Sequence, residues 1–331
     1  MTTAAVLGAG SWGTALAIQL SRNGHNVIAW DCDAELITSL QSERRNARYL
    51  PEITFPETLT AEKDLSTALK KADFTLIVVP SYAMRSVCKQ LSQLKFSKNI
   101  VWATKGFEKQ SNSMMHQVIA EILGTNINTA ILSGPSFAKE VAQNLPTAVT
   151  LASNDSGFAA IIANYFHSDN FRVYISDDII GVELGGAVKN VLAIAAGIAD
   201  GLGYGANARA ALITRGLAEM MRLGQALNAN PKTLMGLAGM GDLVLTCTDD
   251  QSRNRRLGLA MSQGKSAQNY MDELGQAVEG FHAAQVVHKV ALENEVDMPI
   301  CEQVWHVLEG KIDLKEAISE LLGRDMKKET I

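Results

Sequence analysis

The sequence has few cysteines and places none of them in a pair that chemistry could use. Four cysteines are spread over 331 residues, and no C-x-x-C motif joins any two of them. Such spacing is typical of reduced thiols in the cytoplasm, and it supplies neither a disulfide frame nor a metal site. We therefore expect a cytoplasmic protein without a metal. The four are Cys32, Cys88, Cys247 and Cys301.

Other common signatures are also missing. The six histidines show no Ser-His-Asp order, no H-x-x-x-H spacing and no Cys-His pair, which disfavours hydrolytic and zinc mechanisms. A formal net charge of −5 argues against a broad nucleic-acid surface, so an anion site must be a local basic cluster.

No apolar run has the length of a membrane span. The most apolar one, residues 191–198, is much shorter than the roughly 20 residues that a span needs, and Lys189 and Asp200 flank it. This run predicts a buried core helix. The chain enters a strand at once without a basic leader, so we expect no signal peptide.

A glycine-rich turn stands close behind the first residue. Residues 4–7 predict a short buried strand, residues 14–20 predict a helix, and Gly8, Gly10 and Gly13 lie between them in the pattern G-x-G-x-x-G. In this context the first glycine permits a tight turn and the second lets the backbone approach a pyrophosphate. The third allows close helix–strand packing, and the helix N-terminus offers N–H groups to the anion. The turn predicts dinucleotide binding.

The sequence is compatible with both NAD(H) and NADP(H). Residues 26–30 predict a second strand ending at Asp31, and an acid at this distance from the turn normally grips the adenosine ribose through its 2′-OH. Asp31 or Asp33 fits that role, with a solvated turn pair as an equal alternative. Arg44 and Arg45 follow on a polar segment predicted to be helical, and could meet a 2′-phosphate instead.

Alternating strands and helices predict an α/β fold with an N-terminal doubly wound, Rossmann-like parallel sheet. Further strands are predicted at residues 74–80, 99–103, 129–132, 147–152 and 171–175. Ligands of such sheets lie beyond the carboxyl ends of the strands, which directs attention to Lys105, Gly134 and Ser136. After residue 178 the pattern turns helical, apart from a connection between residues 235 and 252. We predict a dinucleotide-binding domain at 1–178 and an all-α substrate and catalytic domain at 179–331.

Two residues of the helical half are candidates for chemistry, each with a plainer alternative. Lys189 shares a helical strip with small residues, so it can lie against a cleft, or its stem can cover a helix contact while its amine reaches water. Asp242 follows the glycine-dense stretch 236–241, which can deliver it to a fixed place or use it as an ordinary cap.

The densest basic cluster is Arg253, Arg255 and Arg256, with Ser252 and Asn254 among them. Guanidinium groups match phosphate oxygens in pairs, and a helix beginning here would add its N–H groups. The alternative is a surface helix end whose arginines pair with Asp249 and Asp250.

Taken in order, several short stretches together resemble the bacterial-type NAD(P)-dependent glycerol-3-phosphate dehydrogenases over nearly the whole chain. They are residues 8–13, 102–106, 132–140, 186–190, 203–208, 239–243, 252–255 and 278–280. The resemblance implies reversible reduction of dihydroxyacetone phosphate to sn-glycerol 3-phosphate, the precursor of the phospholipid backbone. Rival interpretations are a related dehydrogenase of 3-hydroxy acids or ketopantoate, and a dinucleotide sensor without turnover.

The resemblance also implies roles for single residues. Lys189 is expected to donate and accept the proton, with Lys105 and Asp242 in its site. Beside those three, the substrate is expected to contact Gly134, Ser136, Ser252, Arg253 and Asn254. Dinucleotide contacts are expected from Gly8, Gly10, Ser11, Trp12, Gly13, Asp31, Cys32, Lys105, Ala138, Arg253, Ala277 and Glu279. Many members carry Arg or His where this chain has Cys32, which weakens an expectation of NADP preference. A homodimer is expected, with no nucleic-acid partner and no integral membrane segment.

Overall fold

The computed structural model describes residues 1–96 and 98–326. Its contacts divide the chain into two compact units, the first formed by residues 1–104 and 114–179. The second contains residues 105–113 together with the chain from residue 180 onward. Residues 327–331 of the predicted 179–331 domain lie outside the described residues.

The first unit alternates strands and helices as its sequence predicts. Its strands are β1 (Thr3–Leu7), β2 (Asn26–Trp30), β3 (Arg45–Asn46), β4 (Leu50–Thr54), β5 (Leu59–Ala61), β6 (Phe74–Ile77), β7 (Asn99–Trp102), β8 (Thr129–Ser133), β9 (Thr147–Ala152) and β10 (Phe171–Ser176). Its helices are α1 (Ser11–Arg22), α2 (Ala34–Glu43), α3 (Leu65–Lys71), α4 (Met84–Gln93), α5 (Met115–Leu123), α6 (Ala138–Ala142) and α7 (Ser156–Phe166).

Eight of these strands form one sheet in the order β10-β9-β8-β7-β6-β1-β2-β5. The stretch β5-β2-β1-β6-β7-β8 is the doubly wound dinucleotide-binding order, and it reverses direction between β1 and β6. The glycine turn follows β1, so it lies at the switch point where such sheets bind their ligands. The predicted Rossmann-like fold is confirmed.

The sheet is mixed rather than wholly parallel, because β9 pairs antiparallel with β8. The connection between them contains only α6, a five-residue helix. Such a helix extends about 7.5 Å, too short to carry the chain back along a strand, so β9 starts at the edge where β8 ended. β10 then pairs parallel with β9. The prediction of a parallel sheet was wrong at this one junction.

The second unit is built from helices. They are α8 (Ile179–Gly201), α9 (Gly205–Ala226), α10 (Pro231–Leu234), α11 (Asp242–Thr248), α12 (Arg253–Ser262), α13 (Ala267–Leu274), α14 (Glu279–Glu293), α15 (Pro299–Leu308) and α16 (Leu314–Leu322). The connection predicted between residues 235 and 252 contains one of them, α11, preceded by a π-helical turn at Leu237–Gly241.

The apolar run at residues 191–198 lies inside α8. This helix is long and apolar enough to cross a membrane, but 94% of its most apolar window is buried within the protein. The predicted core helix is confirmed, and it places Lys189 in the middle of that core.

Candidate active site

The glycine turn of the first unit has the geometry that its sequence predicts. Gly8 has φ +107°, and a Cβ there would lie 2.8 Å from the carbonyl of Val78. A Cβ on Gly13 would lie 1.9 Å from the Gly8 oxygen, so neither position admits a side chain without a shift. Gly10 faces open space, since no atom of residues 1–96 and 98–326 lies within 4 Å of where its Cβ would be. Packing thus requires glycine at positions 8 and 13, and Gly10 leaves room for a ligand.

The start of α1 also fits a dinucleotide. Gly10 precedes the helix and provides no side-chain cap, which leaves the first N–H groups of α1 to be satisfied otherwise. The indole Nε1 of Trp12 is buried, and no group among the described residues accepts its hydrogen. Free donors at a helix N-terminus behind an open glycine are suited to a pyrophosphate.

Asp31 supports the glycine turn from the end of β2. Its Oδ2 accepts the N–H of Ala9 at 2.7 Å, and its Oδ1 accepts the N–H of Asp33 at 3.0 Å. Cys32 between them is exposed, and its thiol donates to Asp31 Oδ1 at 3.6 Å. Burial and the neighbouring Asp31 charge raise the pKa of this thiol, which therefore stays protonated at neutral pH.

A second support, Asn46, was missed in the sequence. Its side chain is fully buried, and Nδ2 donates to the Ala9 carbonyl at 2.9 Å and to Thr14 Oγ1 at 2.8 Å. Ala9 is therefore held on both sides, its N–H by Asp31 and its C=O by Asn46. Nothing local in the sequence marks Asn46 as a support of the turn, because Ala9 and Thr14 lie more than 30 residues away.

The predicted helix through Arg44 and Arg45 was wrong. α2 ends at Glu43, and Arg44 caps it in the left-handed conformation with φ 52°. The Arg44 guanidinium donates to the carbonyls of Leu59 and Pro56, each at 2.7 Å. Arg45 begins β3 and pairs with Glu43 at 3.1 Å.

Three predicted ligand contacts follow the carboxyl end of β8, also in the first unit. Gly134 has φ +139°, and a Cβ there would lie 3.0 Å from the Cα of Val149. Ser136 Oγ donates to the Gly134 carbonyl at 2.9 Å, and Ala138 begins α6. Their positions beyond a strand end agree with the general rule for such sheets, and their contacts to ligands stay predictions.

In the second unit, two lysines share one buried carboxylate. Lys189 Nζ lies 2.5 Å from Asp242 Oδ1, and Lys105 Nζ lies 2.7 Å from Asp242 Oδ2. Lys189 also donates to Thr246 Oγ1 at 2.9 Å. Lys189 is 6% exposed and Asp242 1%. The plainer alternatives fail on this geometry, because the amine does not reach bulk water and the carboxylate is more than a helix cap.

Close backbone packing creates this arrangement. A Cβ on Gly185 of α8 would lie 2.2 Å from the Ala238 carbonyl, and one on Gly239 would lie 2.0 Å from the Leu234 carbonyl. The π-helical turn at Leu237–Gly241 therefore lies directly against α8, and the next residue, Asp242, begins α11. Thr246 lies one turn later on the same face, where its Oγ1 donates to the Asp242 carbonyl at 2.6 Å. The spacing of four residues was the signal that could have identified it.

The surroundings of Lys189 change its acidity. Burial is the largest cause that lowers its pKa, Asp242 opposes burial, and the positive charge of Lys105 adds to it; together they lower the pKa of Lys189 from 10.5 to about 7. Lys189 can therefore give up and take up a proton near neutral pH. The adjacent Cys247 thiol is not suited to this role, since burial raises its pKa to about 12.

The basic cluster lies at the start of α12, so the helix that the sequence left as a condition is present. Ser252 caps this helix by accepting the N–H of Arg255 at 3.2 Å. Arg255 is enclosed by acids, with Asp200 at 2.5 Å and Asp250 at 2.9 Å. Arg253 Nη1 donates to the Gln276 amide oxygen at 3.5 Å. The predicted contacts of Arg253 with substrate and dinucleotide stay predictions.

Asn254 connects this helix to α8 and α14. Its Nδ2 donates to Asn190 Oδ1 at 2.9 Å, and its Oδ1 accepts the N–H of Gly280 at 2.9 Å. A Cβ on Gly280 would lie 2.5 Å from the Asn190 carbonyl, so α14 begins in direct contact with α8 beside Lys189. Ala277 and Glu279 lie at this junction, and their predicted dinucleotide contacts stay predictions, as do the substrate contacts of Ser252 and Asn254.

Comparison with known proteins covers both units. Residues 3–159 match the family model described as NAD-dependent glycerol-3-phosphate dehydrogenase N-terminus, and residues 178–319 match its C-terminus counterpart. The glycerol-3-phosphate dehydrogenase [NAD(P)+] of Thioalkalivibrio sulfidiphilus is 56% identical over 326 residues, 98% of each chain. That of Halorhodospira halophila is 53% identical over 99% of this chain and 98% of its own. The crystal structure of glycerol-3-phosphate dehydrogenase from Coxiella burnetii superposes with a TM-score of 0.94 at 49% identity, over 98% of this chain and 99% of that one.

Proposed function

The chain belongs to the NAD(P)-dependent glycerol-3-phosphate dehydrogenase family, and we propose that it reduces dihydroxyacetone phosphate reversibly to sn-glycerol 3-phosphate with Lys189 as general acid and base. It is an oxidoreductase that uses NAD(P). The observation that carries the proposal is the buried Lys189 amine, which shares the Asp242 carboxylate with Lys105.

The chemistry needs a proton at one oxygen. When bound, NAD(P)H supplies the hydride that adds to C2 of the ketone, and this leaves negative charge on the C2 oxygen. Protonated Lys189 donates its proton to that oxygen, and in the reverse direction neutral Lys189 accepts it from the alcohol. A pKa of about 7 makes both forms available at neutral pH.

Asp242 and Thr246 orient the Lys189 amine. Their oxygens accept two of its hydrogens, at 2.5 and 2.9 Å, which leaves one N–H direction for the substrate. The remote phosphate is bound by Arg253, whose planar guanidinium matches phosphate oxygens. Binding energy from that phosphate holds C2 in place for the reaction.

The experiment compares ketones as oxidants. NADH and NADPH oxidation should proceed with dihydroxyacetone phosphate and be far slower with 2-keto and 3-keto acids, including ketopantoate. Lys189→Met should abolish turnover while dinucleotide binding, followed by NADH fluorescence, remains within about twofold. Turnover retained by Lys189→Met, or a preference for a keto acid, would contradict the proposal.

A second variant tests the phosphate contact. Arg253→Ala should raise KM for dihydroxyacetone phosphate at least about tenfold, because a charge-assisted bond to phosphate is lost. Lys265→Ala is the control, since Lys265 pairs with Glu273 on the surface. An unchanged KM in Arg253→Ala would remove Arg253 from the phosphate site.

Four further assignments complete the proposal: domains at residues 1–178 and 179–331, a cytoplasmic location, a product that feeds glycerophospholipid synthesis, and a homodimer. The chain forms a homodimer through a groove of about 840 Å³ formed by α9, α15 and α16. Leu212 and Ile318 line this groove, and it also carries Arg215 and Asp325, so a two-fold-related copy can match opposite charges. Light scattering should give twice the chain mass, and Leu212→Asp should give the monomer.

A further inference from the structure

Two short arms extend from the glycine turn and meet at an ion pair. The first runs from Asp31, which accepts the Ala9 N–H at 2.7 Å, to Asp33 two residues later. The second runs from Asn46, which donates to the Ala9 carbonyl at 2.9 Å, to Arg48 two residues later. Arg48 Nη1 and Asp33 Oδ2 close the ring at 2.7 Å.

The ion pair that closes the ring lies where an adenosine ribose is normally read. That position follows the second strand of the fold, where an acid binds the 2′-OH of NAD or a nearby arginine accepts the 2′-phosphate of NADP. Asp31 at the end of β2 is already bonded to the glycine turn, and Cys32 supplies no charge. The charged groups that remain in the ring are Asp33 and Arg48.

Other arginines of this segment have different partners. Arg44 donates to the main-chain carbonyls of Pro56 and Leu59 and is held there. Arg45 pairs with Glu43 at the end of α2. Arg48 is the one whose guanidinium points to the acid after β2. Its backbone is fixed as well, because Asn46 Oδ1 accepts the N–H of Tyr49 at 3.2 Å and Asn46 is fully buried.

We propose that Arg48 is the residue that reads the 2′ position of the dinucleotide, with Asp33 as its competing partner. An NADP(H) 2′-phosphate takes over the Arg48 guanidinium from Asp33, whereas NAD(H) leaves the pair closed. Both groups are partly exposed, so breaking the ion pair costs little free energy and either dinucleotide can bind. The inference rests on the proposed function only in placing the dinucleotide at the glycine turn.

The test is direct binding, without substrate, of NADPH and NADH to the full chain, measured by fluorescence titration. Competition by adenosine 2′,5′-bisphosphate and by 5′-AMP isolates the 2′-phosphate. Arg48→Ala should raise Kd for NADPH about tenfold and Kd for NADH less than about twofold. Of the two fragments, only adenosine 2′,5′-bisphosphate should bind Arg48→Ala more weakly than it binds the unchanged chain.

The chain offers a closely matched control. Arg45 and Arg48 have the same side-chain exposure, 49%, and each pairs with an acid of similar exposure, Glu43 or Asp33. Arg45→Ala removes the same charge from the same segment, and it should leave both dissociation constants within about twofold. If Arg45→Ala weakens NADPH as much as Arg48→Ala does, a general basic field is responsible and the proposal is overturned.

A second variant tests the competing partner. Asp33→Asn keeps a side-chain oxygen for the N–H groups of Glu35 and Leu36 at the start of α2, since asparagine is an equally good N-cap. It removes the carboxylate, so Kd for NADPH should fall about threefold. An unchanged or higher Kd for NADPH would overturn the role of Asp33, and equal losses of both dinucleotides in Arg48→Ala would overturn that of Arg48. A wild-type chain that binds both dinucleotides yet does not reduce dihydroxyacetone phosphate would contradict only the proposed function.

Discussion

Replacing Lys105 by methionine should raise the pKa of Lys189 and move the pH profile of ketone reduction upward. The change removes one positive charge from the Asp242 carboxylate and keeps a long unbranched side chain. Burial is the largest cause of the low Lys189 pKa, and the charge of Lys105 adds to it. In Lys105→Met the Asp242 carboxylate pairs with Lys189 alone. The lost repulsion by Lys105 and the stronger attraction by Asp242 both raise the pKa of Lys189.

The size of the shift follows from the geometry. The two amines bond different oxygens of one carboxylate, at 2.5 and 2.7 Å. Their nitrogens therefore lie within roughly 5 Å of each other, and at an effective dielectric constant of about 20 the repulsion at that separation is about 3 kcal/mol, or about two pKa units. Lys105 is partly exposed, and water screens part of this repulsion. We expect the pKa of Lys189 to rise from about 7 by about one to two units.

The assay is kcat/KM for dihydroxyacetone phosphate against pH, at saturating NAD(P)H. Reduction needs protonated Lys189, so the wild-type rate should fall as pH rises through about 7, and that of Lys105→Met should fall at higher pH. Oxidation of glycerol 3-phosphate needs neutral Lys189 and should show the opposite slope. The overall rate will drop if Lys105 also contacts ligands, so the position of the falling limb is the readout.

Two controls make this result decisive. Lys109→Met removes a lysine from an exposed position of the same segment and should leave the limb in place. Titration of the Lys189 side chain by carbon-13 NMR, with Lys189→Met for assignment, gives the pKa without turnover. A limb at the same or a lower pH in Lys105→Met would refute the account of two lysines competing for one carboxylate.

Three further outcomes test other parts of the structure. Asp31→Ala should weaken NADH and NADPH alike, several-fold by fluorescence titration, because the Ala9 N–H loses its acceptor; loss of one dinucleotide alone would contradict this. Gly185→Ala should lower the free energy of unfolding by about 1–3 kcal/mol in urea and reduce kcat, since its Cβ would lie 2.2 Å from the Ala238 carbonyl. An unchanged kcat would show that this contact does not position Asp242. Burial raises the pKa of Glu219 to about 7, so its folded form binds more protons than its unfolded form between roughly pH 4.5 and 7. Stability should fall across that window, and the fall should be smaller by about 3 kcal/mol in Glu219→Gln; equal falls in both chains would contradict it.

The sequence predicts those features that depend only on residues close together in the chain. Gly8, Gly10 and Gly13 carry a turn whose dihedral angles and close contacts need glycine, and the pattern alone indicates it. A run of small and aliphatic residues likewise predicts α8. By contrast, Arg44 adopts a left-handed cap that usually belongs to glycine or asparagine, so the helix limit before it was not predictable.

Partners far apart in the chain account for what was missed. Residue types suggested that Lys189 and Asp242 could do chemistry, but their contact spans 53 positions and depends on how α8 packs. Asn46 is an ordinary polar residue until the fold brings it to Ala9. The antiparallel β9 depends on the length of α6, which a general pattern of alternating elements does not specify.

The glycines of the helical unit affect the acidity of Lys189, because they help to bury its charged amine. Gly185 and Gly239 bring backbone against backbone around the Asp242 turn, and Gly280 does so beside Asn190. A side chain at any of these positions would separate the helices and admit water to the Lys189 amine. Water would restore the solvation of the ammonium, and the pKa of Lys189 would move back toward 10.5. Close packing, rather than any single charged neighbour, is therefore the main reason why this lysine can exchange a proton at neutral pH.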